Sequence, residues 1–208
     1  MKYIAHVVRI LFLAGFIYLL VNGKVILWLL LFVASLVAAL IFGRIYCGYI
    51  CPMNTLMIPT EWLSKKFKIQ SANTPKFLNN RYFVWLFLIV SIALLLLSKR
   101  LLHMDIPILP FWLVLSVLVT LRYKPAVFHN LICPFGALQK TFGRFARLSK
   151  RVDKKACIGC KLCEKACPSN AIIVSTEDKK AEITPAWCHQ CTNCQEVCPT
   201  NAIHYVGR

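Results

Sequence analysis

Eight cysteines in the last third of the chain have a spacing suited to binding iron and sulfide. They form two runs of four, and in each run the first three cysteines are separated by two residues and the fourth follows after three more, directly before a proline. The runs are Cys157, Cys160, Cys163 and Cys167, and then Cys188, Cys191, Cys194 and Cys198. Closely spaced thiolates on a tight loop can wrap three corners of a cubane iron–sulfur core. In the bacterial two-cluster spacing, the fourth cysteine of each run ligates the other cluster.

This spacing predicts two [4Fe–4S] clusters with exchanged fourth ligands. The first is expected to use Cys157, Cys160, Cys163 and Cys198, and the second Cys188, Cys191, Cys194 and Cys167. Zinc favours paired Cys-x2-Cys units and does not explain two complete runs that each end in Cys-Pro. Disulfides are disfavoured in a cytoplasmic domain. Short strands are expected at 172–175 and 181–184, and His189 is predicted to be an exposed loop histidine.

The remaining three cysteines belong to an internal repeat. Segment 45–52 recurs at 127–134, and each copy ends in Cys-Pro. Cys47 and Cys51 are four residues apart, as are His129 and Cys133, so each pair is expected to share one face of a helix. If the two copies are symmetric, the four side chains form a third iron–sulfur centre at the membrane edge, with one imidazole in place of a thiolate. The alternative is that they are buried thiols and a histidine at a helix end.

Long apolar segments predict a membrane domain. The chain is 58% hydrophobic and only 16% charged, against about a quarter charged in ordinary soluble domains. Four transmembrane helices are expected, arranged as two hairpins, the first lengthened if Arg9 reaches the membrane interface. They are Ile10–Val21, Val25–Phe42, Tyr82–Ser98 and Ile106–Leu121. A cleaved signal peptide is the alternative for the first, but no small-residue cleavage site follows Val21.

The positive charges predict the orientation. The net charge is +17, and most Lys and Arg residues fall in the middle loop and after the fourth helix. By the positive-inside rule, both termini and the cysteine-rich domain are cytoplasmic. Because these charges flank apolar segments, a nucleic-acid partner is not expected. The predicted fold is therefore an all-α membrane domain of two parallel-repeat hairpins (1–149, with Cys-Pro segments at 47–56 and 129–138), followed by a small α+β two-cluster ferredoxin domain (150–208).

The complete combination resembles the NapH/MauN-type membrane polyferredoxins, with related modules in the nitrous-oxide regulator NosR and the oxidase-assembly protein CcoG. Cys47, Cys51, Pro52, Cys133 and Pro134 match the family's Cys-Pro motifs, whereas His129 stands where the family usually has cysteine. The resemblance implies a protein of the bacterial or archaeal cytoplasmic (inner) membrane. It also implies electron transfer between the quinol pool, or a cytoplasmic donor, and the partner subunits of a larger respiratory or maturation system.

Two functions follow as hypotheses. The first is an electron-transfer subunit of an oxidoreductase, such as a quinol dehydrogenase component, with quinone as a further ligand. The second is an accessory reductase that matures another metalloenzyme. The chain has neither a Cys-x2-Cys-His haem motif nor a G-x-G-x-x-G nucleotide loop, which favours the first. His103 and Asp105 could handle quinol protons, although a solvated turn is the simpler interpretation.

Overall fold

The computed structural model describes residues 2–71, 82–97, 100 and 108–207. The helices are α1 (Lys2–Val21), α2 (Val25–Phe42), α3 (Pro52–Lys66), α4 (Phe83–Leu97), α5 (Ile108–Arg122), α6 (Pro125–Val127), α7 (Pro134–Gly143), α8 (Leu162–Ala166) and α9 (Asn193–Glu196). The strands are β1 (Leu148–Val152), β2 (Ile172–Val174), β3 (Ala181–Ile183) and β4 (Ile203–Gly207). Two single π-helical turns, the first π-turn (Tyr46–Ile50) and the second π-turn (Phe128–Ile132), precede the two Cys-Pro steps.

Two helices at the N-terminus are long and apolar enough to cross a membrane, by length and composition: the 19-residue stretch Tyr3–Val21 of α1, and α2 with 18 residues. The side chains of α2 are apolar on all sides apart from Ser35, which suits a helix surrounded by lipid, whereas α1 also carries His6 and Arg9. Gly23 joins them with a φ of +67°, in the turn predicted there. The helices α4 and α5 are apolar but have only 15 residues each, and residues 98, 106 and 107 of the predicted third and fourth spans lie outside the described residues. Four membrane crossings therefore stay a prediction.

The chain divides into two compact units, Met1–Pro52 with Gln139–Arg208, and Met53–Leu138. The first, here the cluster unit, joins the N-terminal hairpin to the cysteine-rich domain. The predicted domain boundary at residue 149 stays a prediction. Cys47 and Cys51 belong to the cluster unit and His129 and Cys133 to the other, so the four-residue third centre also stays a prediction.

In the cluster unit, aromatic side chains connect α1, α2 and the first π-turn. Phe16 and Trp28 meet edge to face with ring centroids 5.1 Å apart, and Phe32 and Tyr46 do so at 5.2 Å. The indole Nε1 of Trp28 donates a hydrogen bond to the Tyr46 hydroxyl at 3.0 Å. All four side chains are buried. These contacts position the first π-turn, and with it Cys47, at the end of the helical hairpin.

The repeat recognised in the sequence is also a repeat of backbone structure. The amide of Cys51 donates to the Tyr46 carbonyl at 2.8 Å, and that of Cys133 donates to the Phe128 carbonyl at the same distance. Both cysteines then adopt extended backbone, with φ, ψ of −64°, 119° and −67°, 115°. A residue before proline is disfavoured in the α-helical region. The expectation of a shared helix face is therefore corrected: one member of each pair lies in a π-turn and the other in the extended residue that ends it.

The cysteine-rich domain is built from two similar halves. Strand β1 pairs with β4 and β2 with β3, both antiparallel. The pair β2 and β3 confirms the two predicted strands, while β1 and β4 were not predicted. A shift of 31 residues relates the two pairings, since Val152 opposite Ile203 corresponds to Ile183 opposite Ile172. Small and branched side chains from β2, β3 and β4 form one core with cysteines of both four-cysteine runs.

Candidate iron–sulfur centres

The first predicted ligand set surrounds a cavity. Its lining includes Cys157, Cys160 and Cys163 of the first run together with Cys198 of the second. The remaining walls are largely apolar and come from all four strands and from the loop before α8; they include Val152, Val174, Ala181 and Ile203. A cavity with four sulfur donors and apolar walls suits an iron–sulfur cluster, because a thiolate is the ligand that holds each iron.

The four cysteines of the second predicted set are close enough to influence one another's pKa. Burial, with a smaller contribution from the nearby Cys191 and Cys167, raises the pKa of the Cys194 thiol to about 12. Burial likewise raises the pKa of Cys188 and of Cys191, and Cys167 adds to both. The fourth cysteine of the first run thus lies within electrostatic reach of all three cysteines of the second. A cysteine loses its thiol proton when it binds a metal. Because burial favours the protonated thiol, only a strongly binding metal centre displaces the protons of these cysteines.

Backbone amides donate hydrogen bonds to the sulfurs of predicted ligands in both halves. The amide of Ala171 donates to Cys167 Sγ at 3.2 Å, and the amide of Ala202 to Cys198 Sγ at 3.3 Å. For Cys198, burial acts to raise the pKa, but hydrogen bonds from Ala202 and the neighbouring residues outweigh it and lower the pKa overall. Such donors stabilise the thiolate form that an iron ligand requires.

Each ligand loop turns through a left-handed residue. Gly159 has a φ of +71°, and a Cβ at this position would lie 2.1 Å from the Lys179 carbonyl oxygen. The equivalent residue of the second loop is Gln190, with a φ of +57°. Its side chain compensates for the strain, because Nε2 donates to Ser149 Oγ and Oε1 accepts from the Lys150 amide, both at 2.9 Å. The second loop is thereby bound to β1.

The second ligand loop also packs against the N-terminal hairpin. A Cβ on Gly48 would lie 2.3 Å from the His189 carbonyl oxygen, and the Tyr49 hydroxyl donates to the Gln190 carbonyl at 3.3 Å. His189 is only 1% exposed, so the prediction of an exposed histidine is wrong. The reason is tertiary: the residue lies in a loop that the first π-turn covers.

The same domain caps α2. The Arg147 amide donates to the Leu40 carbonyl at 3.2 Å, and the Tyr205 hydroxyl donates to the Phe42 carbonyl at 3.0 Å. The last carbonyls of a helix have no partner within the helix. The cysteine-rich domain supplies partners here, which ties it to the C-terminal end of this helix.

Three cations are buried near the second loop. Arg9, in α1, is 6% exposed, Arg44 is 0% and Lys150 is 5% exposed. Arg9 Nε donates to the Gly48 carbonyl at 2.8 Å, and its position at the membrane interface stays a prediction. Arg44 donates to the Ala186 carbonyl at 3.4 Å and to Cys47 Sγ at 3.6 Å. The sequence did not indicate these contacts. In particular, an arginine such as Arg9 in an apolar helix resembles a residue of the membrane interface.

The histidine of the second repeat is buried and hydrogen-bonded. His129 is 2% exposed, and its Nε2 lies 3.1 Å from Asn54 Oδ1. The amide of Gly136 donates to Cys133 Sγ at 3.3 Å. Asn54 is the partner that sequence analysis did not identify, since nothing in its type or spacing marks it.

None of the eleven cysteines, all of which are described, forms a disulfide. In the part of the chain that the structure describes, no three or more His, Cys, Asp or Glu side chains group as a single metal ion would require. One ion needs ligand atoms about 2.0–2.3 Å from its centre, whereas a four-iron core spreads its ligands over four irons. His103 and Asp105 lie outside the described residues.

Comparison with known proteins matches both halves of the chain to iron–sulfur domains. Residues 25–70 and 106–153 match a 4Fe-4S binding domain, one segment for each repeat. Residues 156–202 match a 4Fe-4S dicluster domain. The protein therefore binds iron–sulfur clusters. No solved structure matches the chain significantly.

Three relatives illustrate the similarity. An uncharacterized protein of Methanocaldococcus jannaschii is 28% identical over 173 residues, 80% of this chain and 69% of that protein. The methylamine utilization ferredoxin-type protein MauN of Paracoccus denitrificans is 29% identical over 150 residues, 65% of this chain and 52% of its own length. The ferredoxin-type protein NapH of Escherichia coli is 25% identical over 172 residues, which are 75% of this chain and 59% of that protein. The chain thus spans little more than half the length of the MauN and NapH proteins.

The MauN and NapH relatives are ferredoxin-type proteins by name, and ferredoxins carry electrons. The matched segments include both Cys-Pro repeats and both four-cysteine runs. An iron–sulfur electron-transfer role follows from them. The chain is a NapH/MauN-type polyferredoxin.

Proposed function

We propose that the protein is a membrane-anchored electron carrier that passes single electrons between the quinone pool, or a cytoplasmic donor, and a respiratory redox partner. The observation that carries the proposal is the crossed grouping of the cysteines. Cys198 lines the cavity of the first run, and Cys167 influences the thiols of the second. This grouping supports two [4Fe–4S] clusters.

In this proposal the ligand sets are those expected from the spacing: Cys157, Cys160, Cys163 and Cys198 for one cluster, and Cys167, Cys188, Cys191 and Cys194 for the other. When bound, the clusters supply one-electron redox chemistry. The protein's own part is to hold the thiolates in place, to donate amide hydrogen bonds to sulfur and to keep water away. Burial of Cys188, Cys191 and Cys194 supports that last role.

The membrane arrangement belongs to the same proposal. Four spans in two hairpins would place both termini and the cluster domain in the cytoplasm. The two long apolar helices and the capping of α2 by the cysteine-rich domain support this anchoring. An electron carrier fixed at a helix end would work close to membrane partners and to quinone.

The test uses the full-length protein, purified anaerobically in detergent. We expect about eight irons and eight sulfides per chain if the two clusters are present, and more if a third centre exists. Dithionite-reduced protein should be re-oxidised by a soluble quinone analogue, as followed by visible absorption. Stoichiometric zinc without visible charge-transfer absorption would contradict cluster binding, and inertness toward quinones would contradict the quinone link.

A second candidate is an accessory reductase for another metalloenzyme. The similarity to MauN, whose name refers to methylamine utilization, favours it. A deletion strain separates the two functions. Normal quinone-linked respiration with one inactive metalloenzyme would support the accessory role, whereas impaired respiration would support the electron-carrier role.

A further inference from the structure

The two halves of the cysteine-rich domain have similar backbones but carry different charges beside their ligands. By the 31-residue shift, Lys150 in β1 occupies the position of Ala181 in β3, since Lys150 faces Tyr205 and Ala181 faces the equivalent Val174. By the same shift Gln195 occupies the position of Glu164. Lys150 and Gln195 lie beside the second ligand set, here the second half, and Ala181 and Glu164 lie beside the first. At both positions the second half is more positive than the first by one charge.

Lys150 is buried beside the second ligand set. Its ammonium donates to Gln195 Oε1 and lies 5.8 Å from the centre of the Tyr205 ring. It is near enough to Cys191 and Cys194 to lower the pKa that burial raises in each. In the first half, Ala181 offers only its methyl group and an amide that donates to Cys157 Sγ at 3.5 Å. Glu164 adds a carboxylate there, which accepts from the Val174 amide at 3.4 Å.

Two further cations come from outside the domain. Arg9 is close enough to Cys191 to favour its thiolate, and Arg44 bonds to the Ala186 carbonyl, two residues before Cys188. Both are more than nine-tenths buried, so water screens them weakly. The cation near the first loop is Lys180, which donates to the Cys157 carbonyl but is only half-buried. Cys160, a predicted ligand of the first cluster, is exposed to solvent.

We infer that Lys150, Arg9 and Arg44 make the second cluster the higher-potential centre of the two, so that a single electron on the chain rests beside the N-terminal hairpin. Adding an electron makes a cluster one unit more negative. Buried positive charge stabilises that reduced state, and a nearby carboxylate opposes it. This difference in potential favours electron transfer from the first cluster, at the exposed loop, to the second cluster, beside the N-terminal helices. This inference rests on the proposed function, because it requires both clusters.

The experiment is a potentiometric titration of the full-length holoprotein, followed by EPR. The wild-type protein should show two midpoint potentials. Lys150→Met keeps most of the side-chain bulk and removes the charge, so the higher midpoint should fall while the lower stays in place. Lys150→Arg should keep the wild-type values. Glu164→Gln should raise the lower midpoint instead. Lys154→Met, at an exposed lysine of the same domain, serves as the charge control and should move neither.

Several outcomes would overturn the inference. They are coincident wild-type midpoints, a fall of the lower midpoint in Lys150→Met, or equal shifts in Lys150→Met and Lys154→Met. Should Lys150→Met lose iron, Arg9→Gln decides, because it removes a cation on a separate helix and should lower the same midpoint. Iron and sulfide counts separate this result from the proposed function. A count far below eight refutes the clusters themselves, whereas full clusters with unresponsive potentials refute only the inference.

Discussion

Gly48 lies against the backbone of His189, so closely that a Cβ at residue 48 would come within 2.3 Å of the His189 carbonyl oxygen. Residue 48 belongs to the first π-turn, and residue 189 lies between two predicted cluster ligands. Single π-turns are rare and often occur at functional sites. Here the π-turn forms the surface on which the second ligand loop rests.

We therefore expect Gly48→Ala to loosen this contact. The carbonyl is backbone and cannot rotate away, so the free energy of unfolding should fall by about 1–3 kcal/mol, as for other overpacked sites. Thermal unfolding of the holoprotein in detergent would measure this. Gly15→Ala is the matched control, since nothing lies within 4 Å of a Cβ at that helical position. Equal melting temperatures for the two variants would show that the close contact is not made.

Exchange of the fourth ligands predicts which cluster each cysteine variant loses. Cys198→Ala should damage the cluster held by Cys157, Cys160 and Cys163, because that cavity includes Cys198. Cys167→Ala should damage the other. Since the inference above gives the two clusters different midpoints, EPR at controlled potential can tell which is missing. If Cys198→Ala loses the signal that Cys191→Ala also loses, the assignment is wrong.

Asn54 should stabilise the buried histidine of the second repeat. Asn54→Leu removes the hydrogen bond to His129 Nε2, and loss of a buried partner costs about 1–3 kcal/mol. The unfolding free energy should fall by that amount. Asn22→Leu is the control, because its side-chain hydrogen bond to the Tyr18 carbonyl is exposed and should matter much less. Similar losses in both variants would argue against a structural role for the buried pair.

Removal of iron should destabilise the cysteine-rich domain. Its two-stranded sheets are short, and the core that they form includes ligand cysteines, so cluster binding contributes directly to folding. Chelation under reducing, anaerobic conditions should increase proteolysis within residues 150–208 before α1 and α2 are cleaved. Unchanged protease resistance after complete iron loss would contradict this prediction.

The orientation in the membrane can be tested with reporter fusions. We expect a cytoplasmic reporter to be active after residue 208 and a periplasmic reporter to be active in the turn at 22–24, because the positive charges favour cytoplasmic termini. Export of the C-terminal fusion would reverse the proposed topology. Since the iron content is measured separately, that result would leave cluster binding unaffected.

Much of this protein is determined by local sequence. A run such as Cys157 to Cys167 has the same chemical meaning in any fold, because a short loop can reach only a compact metal core. Val25–Phe42 forms a helix because no charged residue, glycine or proline interrupts it. The strands at 172–174 and 181–183 follow from the branched residues of the first, from Ile183 and from the polar turn between them. The proline after each of Cys51 and Cys133 favours the extended backbone that both adopt.

Tertiary structure decided the environment of these elements. His189 follows a cysteine in a polar loop and appeared exposed, yet packing against Gly48 buries it. Arg9 resembles an interfacial residue, and its guanidinium donates to a backbone carbonyl 39 residues away. Lys150 resembled any lysine near a domain boundary until the strand pairing placed it beside the second ligand loop. Spacing determines which atoms can bind iron. Burial and long-range contacts determine the charge around them, because electrostatic energy depends on distances and on the exclusion of water, which only the folded chain defines.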